Sequence, residues 1–334
     1  MKLPVLTHIR AAIALLVFCQ ILLFLVSRNT LSADASTPLV PLPAASPLLA
    51  GCATPSFAPA MGSPVTVGGD PHFVGVGDYN GDNHLDIVTT EYDDDKVRIL
   101  LGNGSGQFTN APQSPVPTGD QPVATAIGDF NGDNKADIAI TNQLSHNITI
   151  LLGNGDGTFA QAANSPIAVG NAPRGIAHGY FNGDAQLDLA VCNGGSDNIS
   201  ILLGNGNGTF TPAAGSPLMA QDAPFHVVTG FFDADANADL AVANLGSGTV
   251  AIFLGNGSGG FAPSGSPISV GAFTSFLALA DFNGDGKRDL AATNRLSNNV
   301  VILLGNGAGA FSQAMGSPYT VGTAPMAVNA GDIN

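Results

Sequence analysis

Five stretches of this chain place oxygen-bearing side chains at alternating positions, the pattern of a hard-cation site. The clearest is Asp281-Phe282-Asn283-Gly284-Asp285-Gly286-Lys287-Arg288-Asp289. Asp281, Asn283, Asp285 and Asp289 fall at positions 1, 3, 5 and 9, and the carbonyl of Lys287 at position 7 completes an oxygen cage. Oxygen donors at this spacing suit Ca²⁺, which takes about 6–8 ligands at roughly 2.3–2.6 Å, better than Mg²⁺ with its tight octahedron. Two more copies keep all four side chains: Asp78, Asn80, Asp82 and Asp86 with His84 at position 7, and Asp129, Asn131, Asp133 and Asp137 with Lys135 at position 7. Two are degraded. The third loop has Tyr180 at position 1 and retains Asn182, Asp184 and Asp188; the fourth has Phe231 there and retains Asp233, Asp235 and Asp239. Position 6 calls for a residue at ease in a left-handed conformation. It is Asn83, Asn134 and Gly286 in the complete loops, but Ala185 and Ala236 in the degraded ones. The expectation is calcium at loops one, two and five, with weak or no calcium at three and four.

Two other readings of the loops compete with this one. Acidic residues also cap ordinary turns, but four oxygen side chains at fixed offsets in three loops favour a metal. An EF-hand would continue to a Glu at position 12 between helices. Here position 12 of the fifth loop is Ala292, and β-branched runs flank it. The cation is expected to be structural, because each loop joins two segments that it would pin together.

What must position these loops follows from their period. The loops start at residues 78, 129, 180, 231 and 281, and a sixth opens at Asp332 where the chain stops. Ser-Pro recurs with the same spacing at 63, 114, 165, 216, 266 and 317, and Leu-Gly-Asn-Gly at 101, 152, 203, 254 and 304. A Phe closes each Gly-Asn-Gly turn: Phe108, Phe159, Phe210, Phe261 and Phe311. A fixed period of about this size signals stacked supersecondary units. In the second unit, Val123–Gly128, Asp137–Thr141 and Ile148–Leu152 read as strands, and Phe159 starts a fourth extended piece running toward Ile167. Four strands per unit, with middle strands apolar on both faces, make a propeller blade. A two-layer sandwich would alternate more cleanly.

Composition narrows the class. The chain has 334 residues, 43 Gly, no Trp, 25 acidic and 10 basic residues, and a net charge of −15. Three of the cations lie in the first 28 residues and the other seven are scattered, so no basic patch exists for nucleic acid. Ala11–Val26 is an uncharged apolar run after Lys2 and Arg10, short for a membrane span but suited to a signal-peptide core. Residues 1–35 are therefore expected to be a signal peptide, with Ala33-Asp34-Ala35 as the cleavage site, or an uncleaved anchor. Either exports the rest, and the membrane is met only through this segment. Residues 36–56, rich in Pro, are expected to form an extended linker, and 57–334 the propeller. Leu49-Ala50-Gly51-Cys52 has the form of a lipoprotein box but lies far beyond the apolar run.

Other candidates are weaker. Asp93-Asp94-Asp95 reads as a solvated turn. His72, His84, His146, His178 and His226 share no offset, and His178 at an apolar strand position reads as a packed residue. Cys192 reads as small and buried, and with Cys19 and Cys52 makes no disulfide framework. There is no nucleophile elbow, zinc motif or phosphate loop preceding a helix, so no catalytic residues are assigned.

Asp-Phe-Asn-Gly-Asp-Gly-x-x-Asp-Leu-Ala, followed by Leu-Leu-Gly-Asn-Gly-x-Gly-x-Phe, resembles the FG-GAP (VCBS-type) repeat, a family that includes the N-terminal propeller of integrin α subunits. The resemblance spans about residue 57 to the end. It implies a seven-bladed propeller with calcium loops between the first and second strands of each blade. Five full units and the start of a sixth would then be an incomplete propeller. For function, an exported module binding protein or glycan ligands is expected. The alternative is a calcium-dependent polysaccharide-active enzyme or its accessory domain, disfavoured because few Lys, Arg or His are available as a base.

Overall fold

The computed structural model describes residues 58–332. The expected export segment, the linker, Cys19, Cys52 and most of the sixth loop lie outside the described residues. Contacts divide the chain into two units, of which Val65–Ala330 carries every strand. Of the other unit, a turn in which Ser63 N–H donates to the Ala60 carbonyl at 3.0 Å is described.

The strands recur in fives. The first blade is β1 (Pro71–Gly77), β2 (Asp86–Glu91), β3 (Lys96–Gly102), β4 (Phe108–Asn110) and β5 (Val116–Pro117). The second is β6 (Pro122–Gly128), β7 (Asp137–Asn142), β8 (Asn147–Gly153), β9 (Phe159–Gln161) and β10 (Ile167–Ala168). The third is β11 (Pro173–Gly179), β12 (Asp188–Asn193), β13 (Asn198–Gly204), β14 (Phe210–Pro212) and β15 (Leu218–Met219). The fourth is β16 (Pro224–Gly230), β17 (Asp239–Asn244), β18 (Thr249–Gly255), β19 (Phe261–Pro263) and β20 (Ile268–Ser269). The fifth is β21 (Thr274–Ala280), β22 (Asp289–Asn294), β23 (Asn299–Gly305), β24 (Phe311–Gln313) and β25 (Tyr319–Thr320). Each blade is an antiparallel meander, and the first strands β1, β6, β11, β16 and β21 pack side by side in chain order. Among the described residues there is no helix. The protein is an all-β propeller of repeated blades.

The fourth strand differs from expectation. It is not one piece but two short strands that both pair with the third: β9 with Leu151–Gly153 and β10 with Asn147–Ile148. The Ser-Pro pair makes the break. Ser165 N–H closes a turn onto the Ala162 carbonyl at 3.0 Å, and Ser165 Oγ accepts the Ile150 N–H at 2.9 Å. The hydroxyl thus replaces the ladder bond that a continuous strand would supply. Ser114, Ser216 and Ser317 do the same for Ile99, Ile201 and Ile302.

The core lies between the blades. Period-2 alternation sends Ile138, Ile140 and Leu151 into a cluster with Tyr79, Val88 and Ile99 of the first blade. Ala139, Ile148 and Ile150 of the same sheet pack instead on Ile176, Leu189 and Leu202 of the third blade. Two further clusters join blades three to four and four to five. Because both faces are covered, β7, β12, β17 and β22 are buried at every residue. That is why these strands are apolar runs with Asp at one end and Asn at the other.

Candidate metal centres

Every acidic loop joins the first strand of a blade to the second. Gly77 pairs with Asp86, and the equivalent pairs are Gly128–Asp137, Gly179–Asp188, Gly230–Asp239 and Ala280–Asp289. Position 9 is thus the first residue of the second strand, and positions 1–8 form the hairpin connection.

In loops one, two and five the side chains order the loop by accepting its own N–H groups. Asp78 Oδ1 accepts from Gly81 at 2.7 Å and Oδ2 from Asn83 at 2.8 Å. Asp129 binds Gly132 and Asn134, each at 2.7 Å, and Asp281 binds Gly284 and Gly286 at 2.7 and 2.8 Å. Position 3 accepts from position 5: Asn80 from Asp82, Asn131 from Asp133, Asn283 from Asp285. Position 5 accepts from position 7: Asp82 from His84, Asp133 from Lys135, Asp285 from Lys287. These Asx-type turns wrap the backbone around the oxygens, and the chain passes through positive φ at Asn83 (63°), Asn134 (62°) and Gly286 (81°). The position-7 side chain returns to the position-5 carboxylate: His84 Nδ1 lies 3.2 Å from Asp82, Lys135 Nζ 3.6 Å from Asp133, and Lys287 Nζ 3.5 Å from Asp285.

Position 9 does something else as well. Asp137 has no solvent exposure; its Oδ2 accepts the Phe130 N–H and its Oδ1 the Gly153 N–H, both at 2.8 Å. The same two bonds recur at Asp86, Asp188, Asp239 and Asp289. This carboxylate therefore ties the loop to the end of the third strand in all five blades. Burial pushes the Asp137 carboxyl up to about 6, and repulsion from Asp133 and Asp129 adds to that shift. Burial also raises Asp86, Asp188 and Asp239. By contrast, the N–H groups of His84 and Lys287 hold Asp82 and Asp285 below the usual carboxylate range.

The degraded loops differ in backbone as well as in side chains. Ala185 and Ala236 do not enter the positive-φ region, and loop four has Ala234 where the others carry a Gly at φ 74–79°. The position-3-to-5 and 5-to-7 bonds persist there, but no position-1 carboxylate gathers the turn. Loop four nonetheless brings oxygens of Asp233, Asp235 and Asp239 within 4.8 Å of one another. Its Asp at position 3, where the other loops have Asn, makes this three-carboxylate group.

The donor set of loops one, two and five fits calcium. It is all oxygen and held by its own turns, and in loops one and two the buried carboxylate is repelled by two neighbouring acids, which a cation relieves. Asp78, Asn80, Asp82, Asp86 and their counterparts would hold the ion, with the position-7 carbonyl.

Sequence reasoning missed the partner of position 2. Tyr79, Phe130, Phe181 and Phe232 are buried, and each meets edge-on the closing Phe of the next blade's turn: Phe159, Phe210, Phe261 and Phe311, at 5.2–5.8 Å. The carbonyl of the same position-2 residue accepts an N–H from that turn, from Gly157, Gly208, Gly259 and Gly309. The signal was present as two aromatic positions sharing one period. Phe282, in the last described loop, is 42% exposed.

The other candidates are structural. Asp93, Asp94 and Asp95 form an exposed turn, as expected, and Asp94 and Asp95 also accept the Gly69 and Gln121 N–H groups at 2.7 and 2.8 Å, because the chain before each first strand passes beside this turn. Cys192 is a buried free thiol pushed up by burial, and His178 is half-buried with its pKa lowered by burial.

No curated protein matches the chain. Its fold is similar to that of a protein from Lactobacillus plantarum, with 16% identity and a TM-score of 0.60 over 77% of this chain and 73% of that one. It is similar to a putative 6-phosphogluconolactonase from Bacteroides uniformis, with 15% identity and a TM-score of 0.59 over 77% and 73%. It also resembles BBS1N in complex with ARL6DN, with 18% identity and a TM-score of 0.51 over 74% and 68%. At these identities the likeness is one of fold. Residues 78–140, 129–191, 180–242, 232–292 and 281–334 each match the model of the FG-GAP-like repeat, and the chain belongs to that family.

Proposed function

We propose that this is an exported, calcium-binding β-propeller that acts as a binding or adhesion module for an extracellular protein or glycan. The observation that supports it most is the build of loops one, two and five, where a position-1 Asp accepts the loop's own N–H groups around a turn with positive φ at position 6. Calcium is bound there, and weakly or not at all at loops three and four. It acts structurally, drawing the loop onto the strands that it connects. Recognition then falls to the connections that vary among rigidly held blades. The net charge of −15 argues against nucleic acid.

Calorimetric calcium titration of the wild type, Asp129→Ala and Asp184→Ala tests the metal reading. Loss of one site in Asp129→Ala with little change in Asp184→Ala is expected; equal loss in both contradicts the ranking of the loops. A glycan array run with and without chelator tests the module reading, and turnover of a pectic substrate would favour an enzyme instead.

A further inference from the structure

The ends of the inner strands remote from the acidic loops carry a cluster that the calcium reading does not use. The residue after the first paired position is His72 in β1, Val123 in β6, Arg174 in β11, Phe225 in β16 and Ser275 in β21. Equivalent pairing puts them at one level. The Arg174 guanidinium lies 5.0 Å over the Phe225 ring. Phe225 meets Phe276 edge-on at 6.4 Å, and Phe276 stacks on His226 at 4.1 Å. One guanidinium and three rings thus line adjacent strands of three blades, and Arg174, Phe225 and Phe276 are all half-buried.

Among the described residues Arg174, like Lys96, Arg288 and Arg295, lacks the carboxylate partner that three other cations have. Arg98 is bound to Glu91, Lys135 to Asp133 and Lys287 to Asp285. Among the described residues no carboxylate reaches Arg174, and none of its side-chain N–H groups donates to a protein acceptor. Burial lowers its pKa, yet a guanidinium stays charged in proteins. Gly194 lies beside it: a Cβ there would stand 3.2 Å from the Pro224 carbonyl oxygen and 3.5 Å from Arg174 Cδ and Nε, and the equivalent positions hold Tyr92, Gln143, Leu245 and Arg295. A partly desolvated fork of donors with no acceptor, in a strongly acidic chain, is costly unless an anion completes it.

We propose that Arg174 and the rings of Phe225, Phe276 and His226 form a binding site for a single carboxylate borne on a six-membered ring, as in a uronic-acid residue or an aryl acid. The carboxylate takes the guanidinium fork in bidentate fashion. The ring rests against the aromatic arc, which offers apolar faces and edges. The chain's own acidity selects against ligands with several charges on one residue, such as sulfated or phosphorylated sugars, so one carboxylate per ring is the chemistry that fits. This rests on the binding-module reading and names its ligand class; it does not depend on which loops hold calcium.

The test is calorimetric titration of the full chain in millimolar calcium with three probes: trigalacturonate, benzoate and neutral galactotriose. Saturable 1:1 binding of at least one acid, and none of galactotriose, is expected; preference for trigalacturonate or benzoate identifies the source of the carboxylate. Arg174→Gln is expected to weaken the bound acid at least tenfold, and Phe225→Leu by a smaller factor. No binding of either acid, or equal binding by Arg174→Gln, overturns the proposal. If circular dichroism shows that Arg174→Gln does not fold, Phe225→Leu decides, and unchanged affinity in that variant overturns it. Calcium stoichiometry measured on the same samples separates the two readings, since acid binding can survive loss of the metal sites and the reverse.

Discussion

Tyr79 is the residue at which the repeat comments on itself. It fills the slot that Phe130, Phe181 and Phe232 fill in the following blades, at 1% exposure and edge-on to Phe159. Its hydroxyl is buried with no hydrogen-bond partner, and burial raises its pKa further. A buried polar group left unpaired costs about 1–3 kcal/mol. Tyr79→Phe is therefore expected to stabilise the protein by about 1 kcal/mol in urea unfolding, and a loss of stability would show that the hydroxyl has a partner. Asp137 gives a pH signature at the same scale. Its folded pKa is pushed up to about 6 by burial, against about 3.9 for an unfolded carboxyl. Between about pH 4 and 6 the folded metal-free chain then holds more protons than the unfolded one, so stability declines as pH rises through that window. Calcium favours the ionised form and is expected to reverse the slope. Urea unfolding at several pH values, in EDTA and in calcium, checks this; a slope in EDTA that rises with pH would contradict it.

Between elements, one device holds every blade, a second holds all but the fourth, and a third joins neighbouring blades. The position-9 carboxylate clamps the loop to the third strand, and the Ser-Pro hydroxyl fills the gap between the two outer strands. Ser165→Ala leaves the partly buried Ile150 N–H without its acceptor, so a loss of about 1–3 kcal/mol is expected. Ser266→Ala is the control: its unit is one residue shorter and Ser266 makes no such bond among the described residues, so a change within about 0.5 kcal/mol is expected. The joining device is the aromatic latch. Phe130→Ala opens a cavity between blades two and three and is expected to cost about 3–5 kcal/mol in urea unfolding; a loss below about 1 kcal/mol would show that the latch is dispensable. The latch and clamp also explain why loops three and four keep their frame after losing position 1. Phe181, Phe232, Asp188 and Asp239 are needed for packing whether or not a cation binds.

Across the whole molecule, the period carried the fold. Three markers at one spacing and apolar middle strands sufficed for propeller blades, because a unit with two apolar faces must stack on its neighbours. The split fourth strand was not legible, since Phe159–Gln161 and Ile167–Ala168 look continuous until the Ser165 hydroxyl is seen turning back onto Ile150. The ligand positions could be read from spacing, but the second task of position 9 could not: its partner Gly153 lies 16 residues away, across the sheet. Likewise Arg174 looked like one of several scattered cations, and only the side-by-side packing of β11, β16 and β21 brings it to Phe225 and Phe276.

Whether calcium staples the blades is tested most directly by a thermal melt of residues 57–334, followed by circular dichroism in EDTA and in millimolar calcium. A ligand at a hundredfold excess over its Kd adds about 2.7 kcal/mol per site, which for a chain of this size is a shift of about 5 °C or more. A β-rich spectrum with a calcium-dependent rise of at least that size is the expected result. An identical melting temperature in the two buffers would contradict it.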